Sequence, residues 1–191
     1  MKSLVLVIAI LAGITNEGTE TLEVNVRDSK INWTGAKVGG SHNGTIQLKE
    51  GRLEMSNGVL TGGSFKIDMT TIVNEDLSGE YKGKLEGHLK SDDFFGVEKY
   101  PTADFTITNA VPQGPGKYKI TGNLTIKGIT KEIKFPAVVE MNGGNYIATA
   151  DITVDRSEFN VRYGSGSFFD DLGDKVIYDN FDLSVSLTAA K

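Results

Sequence analysis

The chain has 191 residues, no cysteine and a formal net charge of −5, with a sequence pI of about 5.1. The missing cysteines exclude thiol catalysis, disulfide bridges and thiolate metal sites. The acidic balance disfavours nucleic acid as a partner, because a phosphate backbone would repel this surface and no basic run offsets the repulsion.

The first 15 residues predict a signal peptide. Met1 and Lys2 precede a largely apolar stretch over residues 3–14, which is shorter than the roughly 20 residues that a membrane-spanning helix needs. A positive start followed by a short apolar run is typical of an export signal. We therefore expect a periplasmic or secreted protein rather than an integral membrane protein, with residues 19–191 forming the exported domain.

Beyond this segment, apolar and polar residues alternate with a period of two, which predicts half-buried β-strands. The pattern begins at Ile31, Trp33 and Gly35 and continues to Phe181–Leu187 near the end of the chain. Turn signals separate the runs, and they are Glu50-Gly51, Asn57-Gly58, Gly62-Gly63, Gly114-Pro115-Gly116, Lys127-Gly128 and Asn142-Gly143-Gly144. Many short strands joined by tight turns indicate an antiparallel sandwich or barrel, and alternation alone does not choose between the two.

One stretch, over residues 80–95, departs from the strand pattern. Tyr81, Leu85 and Leu89 recur near helical spacing, which predicts a short helix with one apolar stripe. Ser91 and Asp92 offer capping groups at its end, and Pro101 separates it from the next strand.

Residues suited to catalysis or metal binding are few. His42 and His88 are the only histidines, and they are far apart in the sequence. A zinc site normally needs three or four ligands, so we expect no metal and no cofactor. Asp170 to Asp174 is acidic but lacks the ligand pattern of an EF-hand, which favours a solvated loop over a calcium site.

Four runs of sequence together resemble the bacterial YceI-like family. They are Ile31 to Thr45, Gly87 to Phe105, Leu124 to Lys131 and Asp155 to Phe159. Members of that family are secreted, lipocalin-like barrels that bind polyisoprenoid lipids. The resemblance covers roughly Leu22 to the C-terminus. It implies an all-β, lipocalin-like antiparallel barrel of about eight strands, with the helical insert near one end of the pore, and it also suggests a homodimer.

What the resemblance implies for function is non-enzymatic binding of a polyisoprenoid or isoprenoid quinone inside the barrel, for periplasmic carriage or storage. We expect Leu89, Phe94 and Phe95 to gate the interior. The candidate ligand-binding residues are Trp33, Phe65, Ile67, Leu89, Phe94, Phe95, Phe105, Ile107, Ile120, Leu124, Phe135 and Tyr146.

Two alternatives stay open at this point. A packed core and a lipid tunnel share one composition, so the same residues fit a periplasmic stress-related interaction module with a filled core and no lipid. A metal-dependent hydrolase or isomerase would require His42 and His88 to converge inside the barrel.

Overall fold

The computed structural model describes residues 18–190, so the predicted signal peptide lies outside the described residues. Nine strands, one α-helix and two short 3-10 helices make up this part of the chain. The strands are β1 Thr19–Glu23, β2 Lys30–Lys37, β3 Gly40–Ser56, β4 Val59–Asn74, β5 Thr102–Pro112, β6 Lys117–Ile126, β7 Ile129–Asn142, β8 Asn145–Asp155 and β9 Ile177–Ala190. The helix α1 spans Gly79–Lys90, and the 3-10 helices span Arg156–Phe159 and Gly173–Lys175.

The sheet closes on itself. Each strand from β2 to β9 pairs antiparallel with its neighbour in the order β3-β2-β9-β8-β7-β6-β5-β4, and β3 also pairs with β4. Closure removes the unpaired edges that an open sheet would present. The predicted eight-stranded antiparallel barrel is confirmed, and the sandwich is not formed.

The ninth strand, β1, extends the wall at one end. It pairs with the second half of β3, opposite residues 52–56, whereas β2 pairs with the first half, opposite residues 40–46. Val24 then bridges to Ala189 of β9. Successive segments β1 and β2 therefore occupy the same gap between β3 and β9.

Tight turns occur where two consecutive residues have positive φ. Asn57-Gly58 joins β3 to β4, Lys127-Gly128 joins β6 to β7, and Gly143-Gly144 joins β7 to β8. Such pairs form the hairpin turns whose twist matches that of the strands, and these three turns were predicted.

Two other turn predictions were wrong. Glu50-Gly51 lies inside β3 and Gly62-Gly63 lies inside β4. Close neighbours explain the glycines in these strands. A Cβ atom on Gly51 would lie 2.9 Å from the Phe65 ring, and one on Gly63 would lie 2.7 Å from the Arg52 carbonyl and 3.3 Å from the same ring. These glycines make room for an aromatic side chain on the inner face rather than reversing the chain.

The helix α1 covers one end of the barrel and contacts β4. It ends where Ser91 caps it, since the Ser91 hydroxyl donates to the His88 carbonyl at 2.8 Å, and residues 91–99 follow as turns. Only part of its predicted apolar stripe is shielded from solvent. Leu89 is half-buried, whereas Tyr81 is 74% exposed.

Candidate functional site: an apolar cavity inside the barrel

The barrel interior is not completely filled by side chains. Buried residues form one core cluster around Leu53 and Ile120 at the β1 end and another around Phe94 and Phe159 at the α1 end. Between and beside these clusters lies a cavity of about 230 Å³. An apolar cavity of roughly 150 Å³ is already large enough to hold a benzene molecule, so this interior has room for an apolar ligand.

Eleven of the twelve predicted ligand-binding residues line this cavity. They are Trp33, Phe65, Ile67, Leu89, Phe94, Phe95, Phe105, Ile107, Ile120, Leu124 and Phe135. The strands place them there because every second residue of a strand faces inward. Tyr146 is also buried, but it packs in the core cluster at the β1 end and does not line the cavity.

Aromatic rings dominate the middle of the cavity wall. Phe65 of β4 and Phe105 of β5 are opposite one another in the strand register, and their rings stack at 6.3 Å. Phe135 of β7 lies 5.5 Å from Phe105. Trp33 is held by its indole N–H, which donates to the Thr45 carbonyl at 3.2 Å.

Three residues at the α1 end form what we call the cap, namely Leu89, Phe94 and Phe95. Phe94 is 7% exposed and contacts the rings of His88 and Phe95 at centroid distances of 5.7 Å and 5.1 Å. Phe95 also contacts Phe181 of β9 at 6.4 Å. The cap thus closes one end of the cavity with apolar side chains drawn from α1 and the turn that follows it.

Lys127 links the cap to the barrel wall through hydrogen bonds. Its Nζ donates to the carbonyl of Phe94 at 2.7 Å and to that of Asp92 at 3.3 Å. The pKa of Lys127 is lowered, mainly because burial disfavours the charged ammonium, and Asp92 opposes this shift. The tight turn between β6 and β7 therefore positions a cation under the cap.

Arg156 is a lining residue that the sequence pattern did not single out. It is 2% exposed and is the only charged residue among the described residues that line the cavity. Its Nη1 donates to the Val161 carbonyl at 2.7 Å, its Nη2 to the Ile177 carbonyl at 2.9 Å and its Nε to the Tyr178 carbonyl at 3.2 Å.

The electrostatics of Arg156 follow from this burial. Burial lowers the pKa of Arg156, and the carboxylates of Asp179 and Asp155 oppose that shift. Nη2 lies 3.3 Å from Oδ1 of Asp179, which is itself buried. In the sequence, Asp155 and Arg156 stand out only as part of a run that resembles the YceI-like family. Period-two alternation does not predict that the guanidinium of Arg156, just after the end of β8, lines the cavity.

The two histidines do not form a common site. His42, near the start of β3, pairs with a carboxylate, since its Nδ1 lies 2.7 Å from Oδ2 of Asp76. The pKa of Asp76 falls to about 2 because the Asn43 N–H and the His42 ring bond to the carboxylate. His88 packs instead against Phe94 and the ring of Tyr163.

No group of His, Asp or Glu residues within 18–190 is arranged to hold a metal ion. This finding covers both histidines and the acidic residues Asp170 to Asp174. Over the same span, no helix is long and apolar enough to cross a bilayer.

The YceI-like domain family model matches residues 22–189. The chain belongs to the YceI-like family. A UPF0312 protein of Pectobacterium atrosepticum is 35% identical over 102 residues, which cover 50% of this chain and 52% of the relative. One from Photorhabdus laumondii is 50% identical over 46 residues, or 24% of this chain and 23% of the relative. The matched regions thus span about half the length of the curated relatives, or less.

Several solved structures share the fold of this chain. Burkholderia cenocepacia BcnA superposes with a TM-score of 0.72 at 22% identity, covering 87% of this chain and 99% of its own. A polyisoprenoid-binding domain from Saccharophagus degradans, implicated in plant cell wall breakdown, gives a TM-score of 0.64 at 13% identity, with coverages of 88% and 97%. A Campylobacter jejuni YceI protein gives 0.54 at 21% identity, with coverages of 69% and 74%. At sequence identities of 22%, 13% and 21%, the structural similarity to these three proteins establishes a shared fold.

Proposed function

We propose that this YceI-like protein binds the hydrocarbon chain of an isoprenoid lipid, either a polyisoprenoid or an isoprenoid quinone, in the barrel cavity. Binding is non-covalent and the protein acts without catalysis, as a carrier or store. The observation that carries the proposal is the unfilled apolar interior. A filled core would have favoured the interaction module instead.

The cavity chemistry suits a hydrocarbon. Burying each methylene group contributes roughly 0.8 kcal/mol, so an isoprene unit contributes about 3–4 kcal/mol. A few units therefore offset the loss of translational and conformational freedom on binding. Branched methyl groups and double bonds pack against flat rings such as those of Phe65, Phe105 and Phe135, which bury large areas.

The cavity volume sets a limit on how much chain fits without rearrangement. By proportion with an apolar cavity of about 150 Å³ that holds the six carbons of benzene, about 230 Å³ holds roughly nine carbons, or about two isoprene units. A longer chain requires displacement of lining side chains, or it extends out of the barrel.

The place of action in this proposal is the periplasm or the exterior of the cell. Its support is the sequence pattern of residues 1–15, in which a positive start precedes a short apolar run. A homodimer, which the family resemblance suggests, is part of the same proposal, and sedimentation of the purified protein tests it directly.

The binding proposal is tested by extracting the purified protein with organic solvent and identifying the lipids by mass spectrometry. Protein exported by a bacterial host without a histidine tag is the appropriate material. We expect a prenyl lipid at close to one molecule per chain. Absence of any stoichiometric isoprenoid would contradict the proposal.

A matched pair of variants on β8 makes the test specific for the interior. Ala148 lines the cavity, and Ile147 precedes it on the same strand without lining it. Ala148→Phe should lower the lipid content several-fold by filling the cavity, whereas Ile147→Phe should retain it. Equal lipid content in both variants would place the lipid outside the barrel.

A further inference from the structure

Several glycines of the barrel wall are covered by aromatic rings. A Cβ atom on Gly44 would lie 2.8 Å from the indole of Trp33, and one on Gly122 would collide with the ring of Phe105. Gly35 of β2 differs from these. It lines the cavity, yet a Cβ atom built on it would meet no heavy atom within 4 Å. The interior is therefore unfilled beside Gly35, on the strand face that also carries Trp33.

The strand pairing is also irregular at this point. Gly35 pairs with Phe181 and Lys37 pairs with Ile177, so β2 advances by two residues while β9 advances by four. Such an irregularity bends one strand away from its partner. The strands join again directly afterwards, where the Val38 N–H donates to the Val176 carbonyl at 3.1 Å. Residues 178–180 of β9 thus form a bulge between two positions at which β9 pairs with β2, and we call the space beside this bulge the gap.

Arg156 holds this gap in shape from the inside. Its Nη2 and Nε donate to the carbonyls of Ile177 and Tyr178, which begin the irregular part of β9. The guanidinium thereby gives these two carbonyls a hydrogen-bond donor from the neighbouring strand end. Because Arg156 is buried and also bonds to the Val161 carbonyl, the departure of β9 from β2 is fixed rather than a fluctuation of a strand end.

The cavity reaches the outer surface beside this gap. Ala36 and Tyr178 both line the cavity, and Tyr178 is 51% exposed. A tyrosine that is in contact with both an apolar cavity and water is suited to guide a chain between them, since its ring is apolar and its hydroxyl remains hydrated. The small residues Gly35 and Ala36 form the other side of the gap.

We propose that the hydrocarbon chain enters and leaves the barrel between β2 and β9, through an entrance formed by Gly35, Ala36 and Tyr178. This inference rests on the proposed lipid-binding function and assigns its route. The cap lies at the same end of the barrel, where Phe95 contacts Phe181. A path through the cap itself is less suitable, because Phe94 is buried against Arg156 and its carbonyl is held by Lys127. Gly35 is accordingly a residue that controls access, since a side chain there would occupy the inner-face space beside the bulge.

The test compares Gly35→Leu with Gly40→Leu. Neither glycine has a positive φ, and a Cβ atom on either would meet no atom within 4 Å, but Gly40 is exposed and does not line the cavity. Each variant is loaded with farnesol by two routes. One route adds farnesol to the folded, lipid-free protein and follows uptake by tryptophan fluorescence. The other refolds the protein from urea in the presence of farnesol, which bypasses any entrance.

We expect Gly35→Leu to take up farnesol at least about tenfold more slowly than the wild type, and to release it more slowly after refolding. Its occupancy after refolding is the reference against which both rates are expressed, because Gly35 itself lines the cavity, and Gly40→Leu should behave as wild type in every assay. Unchanged uptake by Gly35→Leu would overturn the entrance while leaving the binding function intact. Complete loss of occupancy after refolding would also overturn it, because Gly35 would then act as part of the ligand site rather than of its route. A wild type that binds no farnesol by either route would contradict the entrance and the proposed function together.

Discussion

The guanidinium carbon of Arg156 lies 5.3 Å from the centroid of the Phe94 ring. This contact links the end of β8 to the cap, and the hydrogen bonds of the same guanidinium link it to the start of β9. A cation over an aromatic ring gains up to about 2 kcal/mol when both groups are desolvated. One buried side chain therefore connects the cap with the wall of the cavity.

Replacing Arg156 by methionine should destabilise the barrel by about 3–5 kcal/mol, as removal of one partner from a buried ion pair does. The carbonyls of Val161, Ile177 and Tyr178 would lose their donors, and Asp179 would lose its counter-ion. Urea unfolding followed by circular dichroism measures the change. Arg52→Lys is the control, because Arg52 forms an exposed ion pair with Glu54 at 3.5 Å and should change stability by less than about 1 kcal/mol. Similar losses in the two variants would show that Arg156 has no special structural role.

Phe94→Asp should weaken lipid retention by about tenfold or more, since loss of a buried aromatic removes on the order of 2–3 kcal/mol of apolar burial from the cap. The sheet signal in circular dichroism should persist, because the new carboxylate would lie beside the cation of Arg156. Phe169→Asp is the matched control, since Phe169 is 49% exposed and does not line the cavity. Unchanged lipid retention in Phe94→Asp would show that the cap does not contribute to lipid binding.

Lys127→Met should loosen the cap. The two carbonyls of Asp92 and Phe94 would lose a charged donor, and a hydrogen bond to a charged group contributes about 1.5–3 kcal/mol. Hydrogen exchange followed by mass spectrometry should show faster exchange of the amides of residues 94–97, with the strands unaffected. Lys131→Met, at an exposed position of β7, controls for the loss of charge. Identical exchange in the two variants would refute the role of Lys127.

The alternation pattern was sufficient to predict the barrel strands and most of the cavity wall. Leu124 and Phe135, for example, lie on inward faces that period-two reading identifies. It could not show whether those faces leave space between them, since packed cores and cavities share one composition. Nor could it find Arg156 or the gap at Gly35, because both depend on how β9 departs from β2. The turns predicted from Gly51 and Gly63 are not formed, because both glycines lie inside strands, where they leave room for the Phe65 ring.

Asp76→Asn should reduce stability at neutral pH and have a smaller effect in acid. The pKa of Asp76 is about 2 in the folded protein, below its usual value of 3.8. A lowered carboxylate pKa contributes stability that is fully present above pH 4 and is lost as the pH falls towards 2. The difference in unfolding free energy between wild type and variant should therefore be constant from pH 5 to 7 and shrink between about pH 4 and 2. Asp151→Asn, at an exposed site of β8, controls for the loss of one negative charge. A difference that does not vary with pH would contradict the assignment.

Trp33 allows the most direct test of the lipid-binding claim, because it is the only tryptophan of the chain and it lines the cavity. The measurement is an equilibrium titration of lipid-free protein with farnesol, followed by tryptophan fluorescence, in the wild type and in Ala148→Phe. Our account predicts a saturable change that ends at one farnesol per chain in the wild type and is strongly reduced in the variant. A wild type without any saturable change, or a variant that titrates as the wild type does, would contradict the account.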